Sequence, residues 1–173
     1  MEQAAKHLIP VELELGGKDP MIVFEDVNMD RATNGALWGG MLNCGQTCTS
    51  VERIFVQESI MDTFVKTLKE KAAKLSTLKT KSQDDGSLCV GCMTADFQIK
   101  TIEAQLQEAR EKGAEIVAGG SREGDSHVFP PTIVVTRDTS LKVMNDETFG
   151  PVVTVTPFKT EQEAIDLANA SSF

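Results

Sequence analysis

The stretch 43–53, NCGQTCTSVER, sets Cys44 and Cys48 four residues apart with Gly45 and Gln46 between them. A loop cysteine among small residues, as Cys48 is, has backbone N–H groups nearby that can stabilise a thiolate or an oxyanion. That makes it a candidate nucleophile. The competing reading is a buried small apolar group, because free cysteine is among the most buried residue types. Cys89 and Cys92, in LCVGC, have the spacing of half a zinc ribbon, and Cys44 and Cys48 would complete a four-thiolate set. The long gap between the pairs and the wider spacing of the first pair argue against zinc. A redox role for C-x-x-C lacks the strand-then-helix setting that such sites use. Glu14 stands where VELEL runs into Gly16-Gly17. Strand ends in parallel α/β sheets are where ligands bind, so this carboxylate could serve as a general base. The plain alternative is a solvated charge sharing a face with Glu12. Glu147 and Phe149, with Asp146 and Gly150 in NDETFGPVV, precede another apolar run. A carboxylate there could accept hydrogen bonds from sugar hydroxyls, or the segment could be a turn.

The totals narrow the setting for this chemistry. The net charge of −9, from 26 acidic and 17 basic residues, repels phosphate backbones at long range, so nucleic acid is not an expected partner. Solubility is the plain reading of the acidity. Apolar content of 40% and charged content of 25% are those of a globular chain. The 173 residues are enough for one domain with its own core. No apolar run approaches bilayer length, so no membrane span is expected. The first residues, MEQAAKHLIPVELELGG, carry acids and lack a long apolar segment, so no secretory signal is expected. Four cysteines without such a signal suggest reduced thiols in the cytoplasm rather than a disulfide framework. There is no tyrosine, and His7 and His127 are the only histidines, so chemistry that needs a histidine base has few candidates.

The elements that must position these residues follow from pattern. VELEL at 11–15 alternates and reads as a strand; MIVF at 21–24 is a short buried one. Asp30 is the expected N-cap of a helix running to about Leu42. Its Gly35, Gly39 and Gly40 each cost roughly 1 kcal/mol against alanine, which implies close packing against another backbone. RIFVQ at 53–57 is a strand. Ser59 then caps an amphipathic helix with Met61, Phe64, Val65, Leu68, Ala72 and Leu75 inward. A loop is expected at 79–87. Thr94 caps a second amphipathic helix with Phe97, Ile102, Leu106 and Ala109 inward and Gly113 as its stop. EIVAGG at 115–120, TIVVT at 132–136 and PVVTVTPF at 151–158 are strands. Thr160 and Glu163 form a capping box for the last helix. Strands alternating with helices predict an α/β layer with a mostly parallel sheet. Neither common glycine-rich nucleotide-binding loop is present.

Three segments in order, ELGGKDP at 14–20, NCGQTCTS at 43–50 and ETFGPVV at 147–153, resemble the aldehyde dehydrogenase superfamily. The likeness continues through GALWGG, VERIFV, EKGAEIVAGG, FPPTIV and EAIDLANAS, so it covers almost the whole chain. The resemblance implies that Cys48 is the nucleophile and Glu14 the general base. It implies that Glu147 holds the nicotinamide ribose and that Phe149 lines the ribose and nicotinamide end. Leu15 and Gly16, beside the base, would also contact the cofactor. Cys44 matches a non-catalytic position, and Thr47 and Thr49 flank the nucleophile. The chemistry so implied is oxidation of a small-molecule aldehyde to the acid with NAD or NADP. The Cys48 thiolate would attack the carbonyl to give a thiohemiacetal, loss of hydride would give a thioester, and water activated by Glu14 would release the acid. The Cys48 N–H would be one oxyanion donor.

The same resemblance sets the expected fold. It is an α/β domain with a mostly parallel sheet flanked by helices, like that superfamily's catalytic domain but incomplete at the C-terminus. Residues 1–173 would form this single partial domain, without the nucleotide-binding domain. LANASSF ends just past a helix, with no room for the strand that would normally return. The superfamily's oxyanion-hole asparagine and adenosine-ribose lysine have no counterpart in these segments. The expected consequences are negligible dehydrogenase turnover by the chain alone, weak binding of NAD or NADP, and self-association through uncovered apolar faces. Alternatives are a non-catalytic domain that keeps the fold and a weak thiol esterase. The stretch 76–93 departs from the superfamily pattern: it lacks Gly-Asp-Pro and has Cys92 where a proline is common.

Overall fold

The computed structural model describes residues 1–77, 89–122 and 124–173; the loop expected at 79–87 lies outside them. A single helical turn, α1 (Glu2–Ala5), begins the chain, and irregular exposed backbone follows it. Then come β1 (Asp19–Val23), α2 (Met29–Met41), a 3₁₀ turn at Leu42–Gly45 and β2 (Val51–Gln57). Next are a 3₁₀ turn at Glu58–Ile60, α3 (Met61–Ala72) and two short strands, β3 (Ser76–Thr77) and β4 (Cys89–Val90). The chain closes with α4 (Asp96–Glu111), β5 (Glu115–Ala118), β6 (Thr132–Val135), α5 (Lys142–Asn145), β7 (Val152–Phe158) and α6 (Glu161–Asn169).

Five strands form one sheet in the order β1-β2-β7-β6-β5, and β3 pairs with β4 apart from it. β1, β2, β7 and β6 run parallel, and only β5 is antiparallel to its neighbour β6. This is the mostly parallel α/β sheet that the alternation of elements predicts. β7 is buried at all seven positions, as a central strand covered on both faces must be. Its apolar and threonine side chains suit that place, because β-branched residues pack well on a pleated surface. α2 packs on the sheet through glycine. A Cβ on Gly39 would lie 2.8 Å from Val51 Cγ2, and one on Gly40 2.3 Å from Val153 Cγ1. Gly35 has no neighbour within 4 Å among the described residues and Gly39 meets only the Val51 side chain, so the expected approach of another backbone holds at Gly40, where a Cβ would lie 3.0 Å from the Val51 carbonyl oxygen. On α3, Phe64 and Leu68 are fully buried; on α4, Ile99, Ile102, Leu106 and Ala109 are.

Several local expectations give way. The alternating segment 11–15 is no strand: no strand among the described residues pairs with it, and Val11, Leu13 and Leu15 are exposed. The α2 N-cap is Asn28, whose Oδ1 accepts from Arg31 N–H at 2.9 Å; Asp30 instead pairs with Lys71 Nζ at 2.5 Å. Ser59 lies in the 3₁₀ turn and donates to Glu25 at 2.7 Å, leaving α3 without a side-chain cap. α4 starts after Ala95 rather than Thr94, and Phe97 points outward at 71% exposure. The last helix follows its signature: Thr160 Oγ1 accepts from Glu163 N–H at 3.2 Å, and the Glu163 carboxylate accepts from Lys159 N–H at 2.8 Å.

Candidate active site

The topology sets the site. β1, β2 and β7 are parallel neighbours, so the loops that precede them lie at one edge of the sheet. Those loops are 14–18, 46–50 and 146–151, which carry Glu14, Cys48 and Glu147. The site edge is therefore the N-terminal end of these strands. Glu14 precedes β1 and does not stand at the C-terminal end of a strand, as the alternating pattern had suggested.

Glycines let the three loops touch. The Glu147 carboxylate accepts from Gly17 N–H through Oε1 at 3.2 Å. Its Oε2 would lie 2.6 Å from a Cβ on Gly16, so a side chain there would push the carboxylate aside. A Cβ on Gly17 would fall 2.0 Å from the carbonyl oxygen of Cys48. One on Gly45 would fall 2.0 Å from the carbonyl oxygen of Gly150. The first motif thus rests on both of the others, and the second rests on the third.

The turn before Cys48 is left-handed for three residues running, with φ of +53° at Asn43, +60° at Cys44 and +69° at Gly45. Non-glycine residues seldom adopt this region, and here local bonds hold them. Asn43 Nδ2 donates to the Gln46 carbonyl at 3.0 Å, and Gln46 Nε2 returns a bond to the Asn43 carbonyl at 3.0 Å. Gln46 also donates to the Cys92 carbonyl at 3.2 Å and accepts from Thr94 N–H at 2.8 Å, which fastens the turn to the segment before α4. Cys48 is exposed, and its backbone N–H makes no hydrogen bond among the described residues. Cys44 is the opposite case. It is buried, its Sγ is 3.7 Å from Met93 Sδ, and burial pushes its thiol up to about 12. A thiol so placed stays neutral and unreactive near neutral pH.

Beneath the loops lies a buried polar cluster that sequence reading missed. Lys18 pairs with Glu52 and donates to Thr148 Oγ1 at 2.8 Å. Glu52 accepts from Thr148 N–H at 2.9 Å and from Phe149 N–H at 2.9 Å. Burial draws the Lys18 ammonium below its usual range, and Glu52 beside it opposes that shift. Arg53 Nε donates to the Lys18 carbonyl at 2.8 Å, and its guanidinium reaches the Leu167 and Ala168 carbonyls at the end of α6. The signal for this cluster was a Glu-Arg pair inside the apolar run VERIFV, which marks buried, paired charges when the strand is central.

Of the residues singled out from sequence, Cys48, Gly16, Glu147 and Phe149 lie on loops that touch one another. Phe149 is half-buried, with φ of +48°. Glu14 and Leu15 are exposed on the same entry loop, Leu15 at 72%, and Glu14 makes no hydrogen bond or ion pair among the described residues. Among the described residues no cluster of His, Cys, Asp or Glu side chains has the makings of a metal site. No helix there is long and apolar enough to cross a membrane.

Comparison with known proteins places this geometry. The sequence model of the Aldehyde dehydrogenase family matches residues 1–173. The 4,4'-diapolycopene aldehyde oxidase of a Methylomonas species is 43% identical over 171 residues, covering 99% of this chain and 31% of that protein. The succinate-semialdehyde dehydrogenase of Escherichia coli K12, whose name specifies NADP(+), is 37% identical over 174 residues, covering 100% and 36%. Among solved structures, the betaine aldehyde dehydrogenase of Staphylococcus aureus in complex with NAD+ superposes with a TM-score of 0.86 at 37% identity, covering 98% of this chain and 34% of that one. A mutant aldehyde dehydrogenase from Bacillus cereus gives 0.88 at 32% identity, covering 99% and 34%. The chain spans about a third of the length of these relatives.

Proposed function

The chain belongs to the aldehyde dehydrogenase family, and we propose that it carries the acyl-transfer half of an oxidation of an aldehyde to its acid with NAD or NADP. In this reading residues 1–173 are one partial catalytic domain. The observation that carries the reading is the contact between the three loops: Gly17 against the Cys48 carbonyl, and Gly16 and Gly17 against the Glu147 carboxylate.

The Cys48 thiolate adds to the aldehyde carbonyl carbon. The oxygen that gains the electron pair is met by the Cys48 N–H, which has no other acceptor among the described residues. Glu14, on the entry loop that abuts Cys48, takes the proton from the water that releases the acyl group. Glu147 spends Oε1 on Gly17 and presents Oε2 beside Gly16, which suits it to accept from the hydroxyls of a nicotinamide ribose. Phe149, with Leu15 and Gly16, would border that end of the dinucleotide. When bound, the dinucleotide supplies the hydride acceptor.

Two measurements test the reading. Iodoacetamide labelling followed by mass spectrometry should modify Cys48 faster than free cysteine at the same pH. Labelling no faster than free cysteine would overturn the nucleophile and favour a non-catalytic domain that keeps the fold. NADH formation with a panel of aldehydes should be negligible for the 173-residue chain, which spans about a third of the length of its relatives. Robust turnover would overturn that division of labour.

A further inference from the structure

We propose that Glu52 is a positioning residue: with Lys18 it fixes the backbone of 147–149 and so aims the Glu147 carboxylate at the cofactor ribose. The proposal rests on the reading of Glu147 as the ribose-holding carboxylate. The segment 147–149 belongs to no strand or helix, so its backbone groups must find partners elsewhere. Side chains from other elements supply partners for four of its six backbone groups. Gln105 Nε2 donates to the Glu147 carbonyl at 3.3 Å, and Gln98 Nε2 donates to the Thr148 carbonyl at 2.6 Å. Glu52 takes both N–H groups, Thr148 through Oε1 and Oε2 at 3.2 and 2.9 Å and Phe149 through Oε1 at 2.9 Å.

The charge on Glu52 matters as well as its shape. Two N–H groups and the Lys18 ammonium converge on one carboxylate, and only the ionised form accepts from all three without offering a donor. Glu52 is 2% exposed and Lys18 1%, so no solvent substitutes for either partner. Lys18 also donates to Thr148 Oγ1, which in turn donates to Gln105 Oε1 at 2.8 Å. Phe149 stays at φ of +48°, a conformation its side chain disfavours, with its N–H held on Glu52. Without that hold the segment can relax, and Glu147 loses its aim at the space beside Gly16.

The test uses the 173-residue chain, reduced nicotinamide mononucleotide as the probe, fluorescence titration for affinity and thermal unfolding for stability. The variants are Glu52→Gln, the pair Lys18→Met with Glu52→Gln, Glu147→Gln, and Glu147→Gln with Glu52→Gln. Glu52→Gln should weaken the probe about tenfold, the scale of one misaligned charge-assisted hydrogen bond. The Lys18→Met, Glu52→Gln pair leaves no unpaired buried charge, so its unfolding midpoint should recover toward the parent while its affinity stays low. In the Glu147→Gln background, Glu52→Gln should change affinity by less than about twofold, because it acts through Glu147. Recovery of affinity together with stability in the pair would show a purely structural role and overturn the proposal. Parent-like binding by Glu52→Gln, where Glu147→Gln is weak, would overturn it too. If the parent fails to bind, or Glu147→Gln binds as well as the parent, the reading of Glu147 falls, and the proposal falls with it.

Discussion

One substitution, glycine to alanine, should change stability with opposite sign at two positions in this chain, and the reason is geometric. At Gly45 the added methyl would lie 2.0 Å from the Gly150 carbonyl oxygen and 2.9 Å from the Gly40 carbonyl oxygen. Ordinary contact begins near 3.4 Å, so the turn before Cys48 and the Gly150 peptide must part by roughly 1.4 Å, an overpacking that costs about 1–3 kcal/mol. The φ of +69° adds about 1–2 kcal/mol for any side chain with a Cβ. The expected loss is therefore about 2–5 kcal/mol, and at about 2–4 °C per kcal/mol for a chain of this length the unfolding midpoint should fall by roughly 4–20 °C. At Gly35, inside α2, a Cβ would meet nothing within 4 Å among the described residues, and φ is not in the left-handed region. There alanine should gain about 0.5–1 kcal/mol, because it loses less conformational freedom on forming the helix.

Scanning fluorimetry or calorimetry of the two variants against the parent reads both signs. A Gly45→Ala midpoint within about 1 °C of the parent would refute the reasoning, since neither the overlap nor the strain could then exist as described. So would a Gly35→Ala variant that falls as far as Gly45→Ala. The rate of Cys48 alkylation is a second readout at Gly45→Ala, because displacing a reacting group by about 1 Å can cost on the order of a hundredfold in rate.

Other outcomes follow from the same structure. Cys44, held near 12 by burial against 9.0 in the open chain, stays protonated in the fold while it ionises on unfolding. Its contribution to stability is fully present below pH 9.0 and is lost as pH rises toward 12, at about 1.4 kcal/mol per pH unit. The stability difference between the parent and Cys44→Ala should therefore shrink between pH 9 and 10.5 in urea titrations, and a constant difference would contradict the burial. Separately, Leu8, Ile9, Leu13 and Leu15 on the entry segment and Trp38 on α2 are exposed apolar groups, and such patches drive association. Sedimentation velocity should show concentration-dependent self-association; a monomer at all concentrations would rule it out.

What the sequence made legible was what depends on local pattern. The parallel strands showed as short apolar runs, and the last helix showed by its cap, because burial on both faces and hydrogen bonding at N-termini leave marks within a few residues. The misreadings came where a partner decides. Residues 11–15 alternate as a strand does, but alternation states a period and not a neighbour, and no strand among the described residues pairs with them. Asp30 looked like the cap of α2, but Asn28 takes that place and Lys71 from α3 claims the Asp30 carboxylate. Ser59 was drawn to Glu25 in the same way. Lys18 and Glu52 were the largest omission. Each reads as an ordinary charge in its own segment, and each is buried only because β1 and β7 lie on either side of β2.

That arrangement also explains why the site sits at an unusual edge. Parallel α/β sheets commonly bind ligands beyond the C-terminal ends of their strands. Here the loops that meet all precede their strands. β1 and β7 are two strand spacings apart, about 10 Å, so their entry loops touch only by reaching over the start of β2. Gly16 and Gly17 permit the reach from one side, because a Cβ at either position would strike Glu147 or the Cys48 carbonyl. Glu147 provides it from the other side, its carboxylate closing on Gly17 N–H. The floor of the bridge is the start of β2, where Glu52 holds the 147–149 backbone and Arg53 holds the Lys18 carbonyl. The nucleophile loop enters between them. A residue at any one of these points therefore acts on the others through direct contact, and the three motifs hold their relative positions only as a set.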